Sequence, residues 1–257
     1  MQKTATTSRF LIDLSSSGQV ADSESALSPV DFVQHILVNR LGHAANARQL
    51  FIGLAKTLIR VAEHSFALRD ITKLQEASRA LAKLPLTEAK QIGRYYQALA
   101  LSRVGQSVEA LTLLETAVDN APLVYRARAI QTLGSIYHGQ GRYDEALHLY
   151  PEAMRAASSE NSRDTLTALL VNLEISCIKS ECGEHHAALT DLERICPLVR
   201  IVGRENPLYF YFYHNELAVE FAQLGRLDEA KAASAIALAS PFASAYPEWS
   251  ATRDEIS

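Results

Sequence analysis

Four times along the chain a glycine is followed five residues later by an alanine, in the pairs Gly105/Ala110, Gly141/Ala146, Gly183/Ala188 and Gly225/Ala230. Seven positions before each glycine stands a small residue, Ala98, Gly134, Ser176 or Ala218. Twelve positions after it stands Ala117, Ala153, Ile195 or Ala237. Such a recurrence restricts the chain to architectures that stack one supersecondary unit, because each unit buries its apolar face only against its neighbours. The unit reads as two helices joined by a tight turn. In the stretch 133–154, Leu133, Gly134 and Tyr137 share one helical face, and Ala146, Tyr150 and Ala153 share another. Gly134 and Ala146 mark a place where two helices approach to the usual spacing of about 8–10 Å, which larger side chains would prevent. Gly141 suits a left-handed C-terminal cap. Asp144 and Glu145 put negative charge in the first turn of the next helix.

Gly134, Tyr137, Gly141, Tyr143, Ala146, Tyr150 and Ala153 together resemble a tetratricopeptide repeat (TPR). Ala98, Gly105, Ala110, Ala117 and Pro122 carry the preceding copy, and Leu217, Ala218, Phe221, Gly225, Ala230 and Ala237 carry the last. The third copy is the weakest, with Lys179 where the others have Leu101, Tyr137 and Phe221. The resemblance implies an all-α protein, an α-solenoid of antiparallel helix pairs wound as a right-handed superhelix. Gly105 and Gly141 are 36 residues apart, but the next two intervals are both 42. The surplus is expected to lengthen helices by about a turn, with short polar links at 158–164 and 203–206. The stretch 202–230 resembles the long-period variant found in kinesin light chain and in bacterial peptide-sensing regulators, which places Asn215 at a groove-facing asparagine position.

The chain divides into a mobile, Ser/Thr-rich segment 1–27, an N-terminal helical cap with a degenerate repeat at 28–90, four repeats at 91–241 and a capping tail at 242–257. Within the first segment the apolar island Arg9–Leu14 is expected to dock on the first helices. Ser28-Pro29 opens a helix to about Leu41, a second runs from about Ala44 to Leu68, and Asp70 caps a third that Pro85 ends. Trp249, the only tryptophan, is expected to fold back over the last apolar helix face. Pro151 falls mid-helix, where it predicts a kink; Pro197 is expected to end its helix.

Charge and hydropathy narrow the partners. The net charge is −4 and there is no basic tract, which argues against nucleic acid. No apolar run approaches the roughly 20 residues that span a bilayer. The N-terminus has no signal-peptide core, so a cytoplasmic location is expected.

Chemistry leaves few footholds. Cys177, Cys182 and Cys196, with His185 and His186 nearby, fit no common zinc spacing, and Cys177 and Cys182 point in different directions from one helix. Three cysteines also argue against a disulfide framework. The nucleophile-elbow, phosphate-loop and zinc-protease motifs are missing. No metal, cofactor or enzymatic activity is therefore expected. His138 is read as a polar residue on the groove side.

The functional expectation is a protein- or peptide-binding scaffold using its concave groove, with a structural subunit of a larger assembly or a ligand-responsive regulator as alternatives. By the resemblance, first helices of each pair line that groove. Its expected lining is Tyr95 and Leu99 in the first copy, then Arg128, Gln131, Ser135 and His138. Leu173 and Cys177 follow in the third copy, and Phe212, Asn215 and Val219 in the last. Phe212 comes from the run Tyr209-Phe210-Tyr211-Phe212-Tyr213, whose consecutive rings surround the helix, so at least one faces groove or solvent. Gln131 and Asn215 are expected to hydrogen-bond a peptide backbone. The carboxylate clamp of chaperone-tail binders is absent, since its positions hold Tyr95, Leu99, Thr132, Leu170 and Glu174.

Overall fold

The structure, a computed structural model, describes residues 47–158 and 164–256. The segment 1–27 and the helix expected over 28–41 lie outside the described residues. Among those residues the regular structure is eleven α-helices and one 3₁₀ turn, with no strand. The helices are α1 (Ala47–Ala67), α2 (Ile71–Lys83), α3 (Thr87–Arg103), α4 (Ser107–Asn120), α5 (Leu123–Gly139) and α6 (Tyr143–Ala157). They continue as α7 (Thr165–Glu181), α8 (His185–Glu205), α9 (Pro207–Gln223), α10 (Leu227–Leu238) and α11 (Pro247–Ile256).

Consecutive helices pack as pairs, and each first helix of a pair also packs on the first helix of the next: α1 on α3, α3 on α5, α5 on α7, α7 on α9. This is the layering of an α-solenoid. The turn that makes each pair is the same. Gly105, Gly141, Gly183 and Gly225 all take left-handed φ values, between 72° and 80°. Arg69 takes φ 54° in the corresponding turn between α1 and α2, so a fifth pair shares the geometry without the glycine. Close backbone approach explains the small residues. A Cβ on Gly134 would overlap the Tyr150 ring, and one on Gly93 would lie 2.8 Å from the Ser78 carbonyl oxygen. Ala98, Ala110, Ala146, Ala188 and Ala230 are wholly buried.

The long period is spent by the two expected devices, a link and a longer helix, one after each glycine. The first helices α3, α5, α7 and α9 keep a constant 17 residues. After Gly141 the extra residues fall in the connection between Ala157 and Thr165. After Gly183 they extend α8 to 21 residues. The residues 203–205, read as a link, are therefore helical, and the break comes at Asn206, with Pro207 opening α9. Proline suits that first position because its missing N–H has no helical partner there. Pro197 does not end its helix, and both it and Pro151 lie inside continuous helices. Each is exposed, so neither displaces a packed side chain.

At the C-terminus α11 packs on α10 and α9. Trp249 and Tyr246 are wholly buried and stacked at 4.8 Å, with Phe212 edge-on to both at 5.4 and 4.9 Å. The same cluster contains Leu208, Ala237 and, from the opposite end of the solenoid, Ala67. Arg69 stacks over the Tyr246 ring at 4.1 Å and forms an ion pair with Glu248. The tail thus covers the last pair and also joins it to the first described pair, so the two ends of the described solenoid meet.

Candidate functional site

Meeting ends turn the concave face into a cavity of about 750 Å³ that opens to solvent and is lined by all five first helices. Of the residues read from the sequence as its lining, Tyr95, Leu99, Arg128, Gln131, Ser135, Leu173 and Phe212 reach it, as does Cys177. His138, Asn215 and Val219 do not.

The reason is a drift along the superhelix. Counted back from the turn residue of each pair, the wall is built by the C-terminal half of α1 and α3, the middle of α5, all but the last turn of α7, and α9 from its start to Glu216. A fixed repeat position therefore enters and leaves the wall as the solenoid turns. The position nine residues before the turn stays in it throughout, as Arg60, Tyr96, Thr132, Glu174 and Glu216. Sequence reasoning missed this row as a lining, although it named Thr132 and Glu174 as positions of a clamp. The signal available was the repeat register itself.

Two polar networks stiffen the wall. In the first, Arg128 on α5 donates from Nε to Asp164 Oδ2 at 3.1 Å and from Nη1 towards Glu63 Oε1 at 3.5 Å. Asp164 caps α7 and accepts from the Thr167 hydroxyl at 2.6 Å. One guanidinium so ties α1, α5 and the start of α7. Burial opposes its charge, but the Asp164 carboxylate and the surrounding tyrosines hold its pKa above the ordinary value. Those tyrosines are Tyr95, Tyr96 and Tyr125, with ring centres 5.2 to 6.1 Å apart. Burial pushes the Tyr95 phenol up to about 12, so it is a hydrogen-bonding group and not an acid at neutral pH.

The second network joins α5 to α7. Gln131 Nε2 donates to Ser135 Oγ at 2.8 Å, and Ser135 donates to Glu174. His138 Nδ1 lies 2.6 Å from Glu174 Oε2, and its Nε2 lies 3.2 Å from Glu181 Oε1. Its hydrogen bond to Glu174 raises the His138 pKa. His138 is thus a rivet between two repeats and not a residue of the open wall. A similar contact recurs one pair later, where the Cys177 thiol donates to Glu216 at 3.3 Å. Burial, with the Glu216 and Glu174 carboxylates beside it, pushes that thiol well up, which makes it a poor nucleophile. Burial also raises Glu216 itself. Asn215 is buried, with its Nδ2 3.5 Å from Glu216 and its Oδ1 without a partner among the described residues. Cys182 is exposed and Cys196 half-buried. Among the described residues no group of three or more histidine, cysteine or acidic side chains is arranged to hold a metal.

The geometry of stacked helix pairs agrees with a comparison of the sequence. The family model for the tetratricopeptide repeat matches residues 126–159, which cover α5 and α6. This helix pair is therefore a TPR-type repeat, and the other pairs of the described chain stack in the same way. No curated protein and no solved structure matches the chain, so the finer likeness to kinesin light chain or to peptide-sensing regulators has no support from relatives. TPR units generally mediate contacts between proteins. Among the described residues no helix is long and apolar enough to cross a membrane.

Proposed function

We propose that this protein is a non-catalytic binding scaffold, acting in the cytoplasm, whose cavity receives a peptide segment of its partner. The observation that carries the reading is the wall: five first helices contribute apolar surface from Phe66, Leu99, Leu170, Leu173 and Phe212 beside polar groups of Thr132, Ser135 and Gln131. Apolar walls with a few placed polar groups are what ligand pockets share. The residues within the wall are held by bonds among themselves, so the site is largely preformed and binding orders few side chains.

A block on either face tests this. Leu170 lines the cavity, whereas Leu147 on α6 is exposed on the outer layer. Partners captured by the wild-type protein from its native source should be retained by Leu147→Arg and lost by Leu170→Arg, each verified as folded by circular dichroism. Retention by Leu170→Arg and loss by Leu147→Arg would move the site to the outer face.

A further inference from the structure

Where α1 and α9 come together, the cavity is closed by the last part of the chain. Phe242 lines the cavity and packs in one cluster with Ala67 of α1 and Leu208 of α9. Among the described residues α1 and α9 do not pack along each other. Their joint is made by the rings that the strap 241–256 brings to that cluster, those of Phe242, Tyr246 and Trp249.

Two features make this strap the loosest hold in the fold. Its backbone is self-contained. The N–H groups of Ala243, Ala245 and Tyr246 donate to the carbonyls of Ser240, Phe242 and Ala243 at 2.8–3.2 Å, and the N–H of Phe242 donates to Ser240 Oγ at 3.0 Å. Pro241 and Pro247, which lack an N–H, bracket that turn. The strap can lift without breaking a backbone bond to α1 or α9. Its side-chain contact is also incompletely satisfied. Tyr246 and Trp249 are wholly buried, yet Tyr246 Oη and Trp249 Nε1 have no hydrogen-bond partner among the described residues. The same holds for Nε of Arg69, which lies over the Tyr246 ring. Three unmet polar atoms therefore gather at one contact. Burial of the two rings favours docking, and the unmet atoms oppose it because they regain water when the strap lifts. The seam between α5 and α7, by contrast, is both packed and hydrogen-bonded.

We propose that the strap 241–256 is a releasable closure of the cavity: it undocks as a unit while α1–α10 stay stacked, withdrawing Phe242 from the wall and parting α1 from α9. An incoming chain segment then enters from that end instead of threading a closed chamber. This use as a closure rests on the cavity reading above; the undocking does not.

Trp249, the only tryptophan, reports the strap directly. In urea its fluorescence change should precede the loss of far-UV circular dichroism by about 1 M or more, because local opening costs less than global unfolding. Tyr246→Phe removes an unmet oxygen and keeps the ring. It should raise the fluorescence midpoint and leave the dichroism midpoint in place. Glu248→Ala removes the ion pair with Arg69 and should lower the fluorescence midpoint. Cys177, in the cavity wall, reports the closure. Its labelling by a bulky maleimide at fixed pH, located by peptide mapping, should be roughly threefold faster in Glu248→Ala, as the loss of a surface ion pair predicts. It should be slower in Tyr246→Phe, while labelling of the exposed Cys182 stays the same in both. Coincident fluorescence and dichroism transitions in the wild type overturn the proposal, and so does a lowered fluorescence midpoint in Tyr246→Phe. Separate transitions with Cys177 labelling indifferent to both variants show a tail that undocks but closes nothing, which overturns it as well. Partner capture by Leu170→Arg judges the cavity reading separately, and its failure leaves the strap measurements standing.

Discussion

Arg69 offers the sharpest test of how the ends are held. It occupies the turn position that four glycines occupy elsewhere, with φ 54°. A left-handed conformation costs an L-residue about 1–2 kcal/mol. Its side chain recovers this through the contact with the C-terminal cap. The ion pair with Glu248 is partly open to water, with side chains 31% and 45% exposed, which places it in the range of about 0.2–1 kcal/mol for surface pairs. Stacking on the buried Tyr246 ring adds roughly 0.5–2 kcal/mol. Arg69→Ala keeps the backbone strain and loses both contacts, so it should destabilise by about 1–3 kcal/mol. Arg69→Gly loses the same contacts but relieves the strain, and should be milder by about 1 kcal/mol. Urea unfolding gives the two values, and hydrogen exchange of the α11 amides should rise in both. A glycine variant no milder than alanine would refute the strain argument. A double-mutant cycle of Arg69→Ala with Glu248→Gln showing no coupling would refute the ion-pair part.

Other expectations follow from the packing and the networks. Gly134→Ala should lower stability by about 1–3 kcal/mol, since the added methyl overlaps the Tyr150 ring; thermal unfolding within a degree of wild type would contradict the close approach. The raised pKa of His138 means its charged form is favoured by folding, so its contribution is complete below the ordinary histidine value and fades as pH rises through the folded value. Glu174, Glu181 and the Tyr143 ring face it. The difference in unfolding temperature between wild type and His138→Gln should therefore shrink as pH rises above the ordinary histidine value of about 6.5, and a difference that grows would reverse the assignment. Asn215→Ala should leave partner capture unchanged, because the side chain is outside the cavity; loss of capture in a folded variant would restore the groove-facing reading.

How far the sequence could be read depended on range. Helix pairs, their turns and the small residues at close approaches are local or next-neighbour facts, and glycine at a left-handed turn or an alanine between helices is chemically distinctive. The first turn was legible from its Asp70 cap, but its left-handed geometry was not, because Arg69 stands where the other turns have glycine and is held by a distant contact. Lys179, which made the third repeat look weak, is accommodated by Asp191 at 2.5 Å, where Tyr137 and Phe221 instead lie under Arg142 and Arg226. Pair chemistry of that kind cannot be recognised from one member. The cavity was half legible for a different reason. Assigning lining by repeat position assumes that each repeat shows the same face to the axis, and twist between repeats breaks that assumption at His138, Asn215 and Val219. The meeting of the two ends had no local signature at all.

That meeting also sets an order in time. A solenoid grows from contacts between neighbours, which can start anywhere and spread quickly. The bond between Arg69 and Glu248 joins residues 179 apart, so it forms only when every intervening pair is in place, against the closure entropy of most of the chain. A chain still emerging from the ribosome has stacked helices and an open inner face; the cavity takes its final form only once α11 has been made and docked.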